Sequence, residues 1–77
     1  MTLLYRFRTS SGTFYIGRSQ DGRYHPIFNG ESYGSYGTPW QAAEDLAGGH
    51  VGSISGICDL AALGIPDHHS EWESLYP

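Results

Sequence analysis

From Thr2 to Arg8 the chain alternates, with Leu3, Tyr5 and Phe7 on one side and Leu4, Arg6 and Arg8 on the other. A period of two is the mark of a half-buried strand. Thr9-Ser10-Ser11-Gly12 is a turn cluster. Thr13 to Arg18 is a second strand, with Phe14 and Ile16 opposite in facing to Tyr15 and Gly17. Asp21-Gly22 predicts a two-residue type I′ turn, since both residues tolerate positive φ. Arg23 to Phe28 is the third strand, with Pro26 at a position that needs no ladder donor. Asn29-Gly30 predicts another tight turn, and Glu31 to Tyr36 a short, glycine-interrupted fourth strand.

These turns predict a register. Closure at Arg8 and Thr13 sets Phe7 opposite Phe14 and Tyr5 opposite Ile16. Closure at Asp21-Gly22 sets Gln20 opposite Arg23, Arg18 opposite His25 and Ile16 opposite Ile27. Closure at Asn29-Gly30 sets Phe28 opposite Glu31 and Pro26 opposite Tyr33. One face then holds Leu3, Tyr5, Phe7, Phe14, Ile16 and Ile27. The other holds Leu4, Arg6, Arg8, Tyr15, Tyr24, Phe28 and Tyr33. A slip of one residue would exchange faces along a strand.

Thr38-Pro39-Trp40-Gln41 is a capping box with Pro at the first helical position. Trp40, Ala43, Leu46 and Ala47 form a stripe at helical spacing, and Gly48 is placed to end the helix in a left-handed conformation. Glu44 and Asp45 oppose the macrodipole at that end. Gly48 to Gly56 reads as loop. Asp59 can cap a single turn over Leu60–Leu63, with Gly64-Ile65-Pro66 as its stop. Ser70-Glu71-Trp72-Glu73 is a second capping box, opening either a last short helix or an extended tail. The expectation is one α+β domain over residues 1–77. A three- to four-stranded antiparallel meander spans 1–36, and one capped helix, 38–47, packs on one face. Residues 48–77 form a loop, a short helical turn or turns, and an irregular tail. The expected core is Tyr5, Phe7, Phe14, Ile16, Ile27, Trp40, Ala43 and Leu46.

Composition narrows the function. The chain has no Lys, four Arg and eight acids, for a net charge of −4. Nucleic-acid affinity comes largely from cations meeting phosphates, so an acidic chain is a poor default binder, and an anionic membrane surface is disfavoured on the same ground. The single Cys cannot form an internal disulfide, which fits a reducing compartment. No apolar run approaches the ~20 residues of a membrane span, and the short Met1–Tyr5 stretch, interrupted by Arg6, is not a signal peptide. The expectation is a cytoplasmic protein, a monomer or weak homodimer, with no cofactor.

Four groups of residues could carry chemistry. His68-His69, with Asp67 and Glu71, is a weak metal candidate that lacks a helical H-x₃-H or a CxxC pair. Cys58 and His50 could form a nucleophile pair, but Cys58 lies among Ile57 and Leu60, where a thiol acts as a small hydrophobe. The segments GESYGSYG and GGHVGSISG lack the Lys of a phosphate loop. The sharpest candidate is the surface of Arg6, Arg8, Tyr15, Tyr24, Phe28 and Tyr33. Such a face suits a protein partner, since Tyr and Arg are enriched in interfaces, or single-stranded nucleic acid held by stacking. Otherwise the tail, through Leu60, Leu63, Ile65, Trp72, Leu75 and Tyr76, covers it as a second small core. His25 falls on the core side of this register, as a hydrogen-bonded, partly buried side chain.

The order strand, Asp-Gly, strand, Asn-Gly, strand, capped helix resembles several small sheet-plus-helix modules at fold level. The DNA-reading domains of the plant AP2 type and the arm-binding domains of tyrosine recombinases imply a basic sheet face; here only Arg6 and Arg8, or Arg18 and Arg23, are available. The MbtH-like accessory proteins imply an S-L-W-P segment after the first hairpin, where this chain has Tyr24-His25-Pro26-Ile27. No functional residue transfers from these resemblances. The favoured expectation is a non-catalytic binding or adaptor module with a protein partner. The alternatives are a single-stranded nucleic-acid binder and a metal-dependent enzyme using His68 and His69.

Overall fold

A computed structural model describes residues 1–52, 54, 57 and 59–75. It contains strands β1 (Thr2–Thr9), β2 (Gly12–Arg18), β3 (Tyr24–Phe28) and β4 (Glu31–Ser32), helix α1 (Pro39–Ala47), and a final strand β5 (Glu73–Ser74). Single 3₁₀ turns lie at Leu60–Leu63 and His69–Glu71. The strands form one antiparallel sheet in the order β4-β3-β2-β1-β5, with α1 against it. The expected α+β fold is present, and the tail adds a fifth strand.

The first hairpin has the expected register: Phe7 faces Phe14 and Tyr5 faces Ile16. Thr9 fixes its turn, donating from Oγ1 to the Gly12 carbonyl at 2.7 Å and accepting from the Ser11 N–H at 3.1 Å. Gly12 is required there. Its φ is +136°, and a Cβ would lie 2.8 Å from Cε1 of Phe28. Farther along β1 the pairing shifts between Leu3 and Tyr5, a bulge that leaves Leu3 opposite Gly17. Leu3 therefore joins the face opposite Tyr5, which strict alternation does not anticipate.

The β2–β3 connection corrects the expected register. Asp21-Gly22 does not close a two-residue turn. Ser19 N–H bonds the Arg23 carbonyl at 2.9 Å, Gly22 N–H bonds the Ser19 carbonyl at 3.0 Å, and Gly22 has φ +82°. This is the three-residue loop that ends on a left-handed glycine. Asp21 keeps negative φ; among the described residues Asn29 is the one non-glycine with positive φ. The Asp21 carboxylate instead accepts from the Ser19 hydroxyl and from Arg23 N–H, bonds that hold the wider loop. One extra loop residue slips β3, so Phe14 faces Phe28, Tyr15 faces Ile27 and Ile16 faces Pro26. Tyr24 and Phe28 thus move to the face of Phe14 and Ile16, and Ile27 moves to the face of Tyr15. The Asn29-Gly30 turn forms as expected, with φ values of +53° and +78° and Phe28 opposite Glu31.

Thr38 caps α1 by accepting from Gln41 N–H at 3.3 Å. Ala42, Ala43 and Leu46 are fully buried, whereas Trp40, an expected core residue, flanks this stripe and is 48% exposed. The left-handed residue that ends the helix is Gly49, at φ +75°, and not Gly48. The bonds from Gly49 N–H to Leu46 O (3.2 Å) and from His50 N–H to Asp45 O (2.8 Å) complete a Schellman motif. Gly64 has the expected left-handed conformation, but Asp59 makes no side-chain cap bond.

One core forms on the helix side. Phe14, Ile16 and Phe28 meet α1, and Ile54, Leu60, Ile65 and Trp72 join the same cluster. Among the described residues the tail therefore completes the first core and does not cover the Tyr15 face; Tyr76 lies outside them. Ile27 is buried but belongs to the opposite face. Gly12→Ala is expected to destabilise the fold by about 1–3 kcal/mol from backbone strain, with further loss from the Phe28 contact. Gly30→Ala should cost less, because its Cβ would meet nothing within 4 Å. Midpoints of urea unfolding check the order.

Candidate functional site

The slipped register divides the six expected surface residues. Arg6, Arg8 and Tyr15 stay on the open face, while Tyr24, Phe28 and Tyr33 pack against the helix-side core. Phe28 is only 4% exposed and stacks on Phe14 with ring centroids 4.5 Å apart. In their place the bulge and the slip bring Leu3 and Ile27 beside Tyr15. With Met1 they line a shallow hollow of about 370 Å³, closed at one end by Gly30 and Ser32. Met1 is 62% exposed and Leu3 41%. Gly17 lets Met1 lie on the sheet, since a Cβ there would come within 2.8 Å of Met1 Sδ. Met1, Leu3 and Ile27 stand in the sequence as apolar residues, but an even alternation puts Leu3 and Ile27 on the face of Phe14 and Ile16, away from Tyr15.

Arginines border the patch on the β1 side. Arg6 is ion-paired with Glu73, its register partner on β5. Arg8 is exposed. A second groove, of about 430 Å³, runs along this edge between Arg6, Phe7 and Arg8 on β1 and Glu71, Trp72 and Glu73 on the tail.

At the far end of the sheet His25 gathers the turns. Its Nδ1 lies 2.7 Å from the Gly34 carbonyl and 3.0 Å from Ser32 Oγ, and its Nε2 lies 3.1 Å from Ser19 Oγ. A serine, a histidine and an aspartate in contact invite a nucleophile reading. Proton accounting opposes it. The Ser19 hydroxyl has one proton and three neighbouring acceptors: Asp21, the Arg23 carbonyl at 3.2 Å and His25. The carboxylate makes the strongest of these bonds, being charge-assisted. Consistently, the Ser19 hydroxyl and then the Arg23 N–H hold the Asp21 carboxyl below its ordinary range. Arg23 extends the network by donating to Ser35 Oγ at 2.9 Å and to its carbonyl at 3.0 Å. The cluster ties the β2–β3 loop to the segment after β4. His25 is hydrogen-bonded and partly buried as expected, though on the opposite face.

The other candidates are placed elsewhere. His68 Nδ1 accepts from Ser70 N–H at 3.2 Å as a cap, and His69 packs beside Tyr5. Among the described residues no group of three or more His, Cys, Asp or Glu is placed to hold a metal ion. Cys58 lies outside the described residues, and His50 is exposed at the end of α1. In GESYGSYG, Tyr36 bridges Tyr24 through two backbone bonds of 2.8 Å. The second glycine segment lies partly outside the described residues, and its Gly48-Gly49 ends the helix. Among the described residues no helix is long and apolar enough to cross a membrane. The chain matches no protein-family model, no curated protein and no solved structure.

Asp45 has a use that the sequence did not disclose. Burial first, and then a hydrogen bond to the Asp45 carboxylate, push the Tyr36 phenol up to about 12. The folded state keeps this proton more firmly than the unfolded chain, so the contribution is full below about pH 10 and is lost as pH rises through about 12. A tyrosinate absorbance titration should show Tyr36 ionising late, and Asp45→Asn should move that ionisation to lower pH.

Proposed function

We propose that this chain is a non-catalytic binding module whose open sheet face receives a protein partner. The observation that carries the reading is the Met1–Leu3–Tyr15–Ile27 patch beside Arg6 and Arg8, on a face with no helix over it among the described residues. An apolar centre with Tyr, Met and Arg is the composition that distinguishes interface cores from the rest of a surface, and anchors of this kind supply most of the binding energy. The stacking platform that supported a nucleic-acid reading is reduced to Tyr15, since Tyr24, Phe28 and Tyr33 pack with the core. The net charge of −4 opposes phosphate binding as well. One Cys can form no internal disulfide, so the reading places the module in a reducing compartment such as the cytoplasm.

A displayed library of random peptides selected on the wild-type chain tests this. The selected peptides should shift the amides of Leu3, Tyr15 and Ile27. They should bind Leu3→Glu at least tenfold more weakly, about 1.4 kcal/mol, while Leu3→Glu keeps the wild-type fold by circular dichroism. Peptides that bind wild type and Leu3→Glu equally, or that shift α1 alone, would overturn the reading.

A further inference from the structure

We propose that residues 67–75 form a strap that protonation of His69 releases from the edge of the sheet. The strap is held at three places. Trp72 is buried, its Nε1 donating to the Pro66 carbonyl at 3.1 Å and its ring 5.9 Å from that of Phe7. The two residues of β5 pair with Tyr5 and Arg6, and Leu75 N–H bonds the Leu4 carbonyl at 2.8 Å. Between these, His69 is wedged against β1 and α1, with ring centroids 5.0 Å from Tyr5 and 6.1 Å from Trp40.

This wedge tolerates only a neutral imidazole at His69. His69 Nδ1 is fully buried with no hydrogen-bond partner, so a proton there would add a charged donor with nothing to receive it. His68 uses its Nδ1 as the acceptor that caps the 3₁₀ turn, with Ser70 Oγ also at 2.9 Å. The two rings stack with centroids 4.5 Å apart, so His68 presents a ring face and no anion to a charged His69. Nearby charges do not compensate. The strap offers Asp67 and Glu71, both exposed; β1 offers the Tyr5 phenol and an Arg6 already paired with Glu73; α1 offers Trp40 and Gln41, with Glu44 one turn on. Among the described residues neither histidine has a carboxylate partner. Burial, and then His68, lower the proton affinity of His69. The docked strap therefore binds fewer protons than the released one. Docking is complete above the ordinary histidine value of about 6.5 and weakens as pH falls below it. Release uncovers Phe7 and the outer edge of β1, an unpaired strand edge of the kind that accepts another strand. This inference is independent of the open-face reading.

The test is amide exchange followed by NMR on the full chain between about pH 7.5 and pH 5, corrected for intrinsic exchange. The Leu75 amide and Trp72 indole should lose at least about tenfold protection at the lower pH. Phe14 and Ile16 should stay protected. His69→Phe, which keeps a ring but takes no proton, should hold the strap at the lower pH; His69→Gln serves if that variant does not fold. Joint loss of Phe14 and Leu75 protection would mark global unfolding and overturn the proposal. So would strap protection that does not change with pH, or release of the variant at the wild-type pH.

Discussion

The stagger of β3 against β2 depends on one carboxylate. Asp21 takes the Ser19 hydroxyl and the Arg23 N–H, and the loop that carries it is three residues long in place of two. Because side chains alternate with period two, that single residue decides which of Phe28 and Ile27 enters the core. With the observed loop, Phe28 stacks on Phe14 and Tyr24 follows it inward. With a two-residue loop, two large rings would face the open side and Ile27 would stand in for them. His25 and its contacts to Ser19, Ser32 and Gly34 reinforce the observed choice from the open side.

The sequence was legible where a local rule had no competitor. Asn29-Gly30 has no polar side-chain partner in its turn and forms the type I′ connection that its residues favour. Thr38 caps α1 by accepting from Gln41 N–H, and Pro39 takes the first helical position, as their types require. Asp21-Gly22 carries the same dipeptide logic and breaks it, because Ser19 supplies a hydroxyl two residues before the Asp. Such local side-chain bonds compete with backbone turn preference, and the pair could be seen in the sequence without showing which would prevail. The bulge at Leu4 left no mark of its own. It moves Leu3 across the sheet, and with it half of the candidate site.

The tail was illegible for a different reason. Its apolar residues called for a surface, but nothing local chose between the two faces. The choice follows from volume. α1 buries Ala42, Ala43 and Leu46 in the core, and the two alanines leave space beside the large rings of β1, β2 and β3. Ile54, Leu60, Ile65 and Trp72 fill that space, and close packing is what gives buried apolar groups their full contribution.

One helix and one strap suffice for one face of a five-stranded sheet. A chain of this length buries only about 60% of the surface that its unfolded state exposes, and antiparallel sheets commonly leave one side to solvent. Ordinarily that side is polar. Here the centre is occupied by Leu3, Tyr15 and Ile27 with Met1 laid over Gly17, and the charges stand at its margin as Arg6 and Arg8. Solubility alone would favour polar side chains at all of these positions. Gly17 weakens its strand and contributes no side chain, and Met1 rests in the space where a Cβ would stand. An apolar centre bordered by charge on the uncovered side is what supports the proposal that a partner docks there.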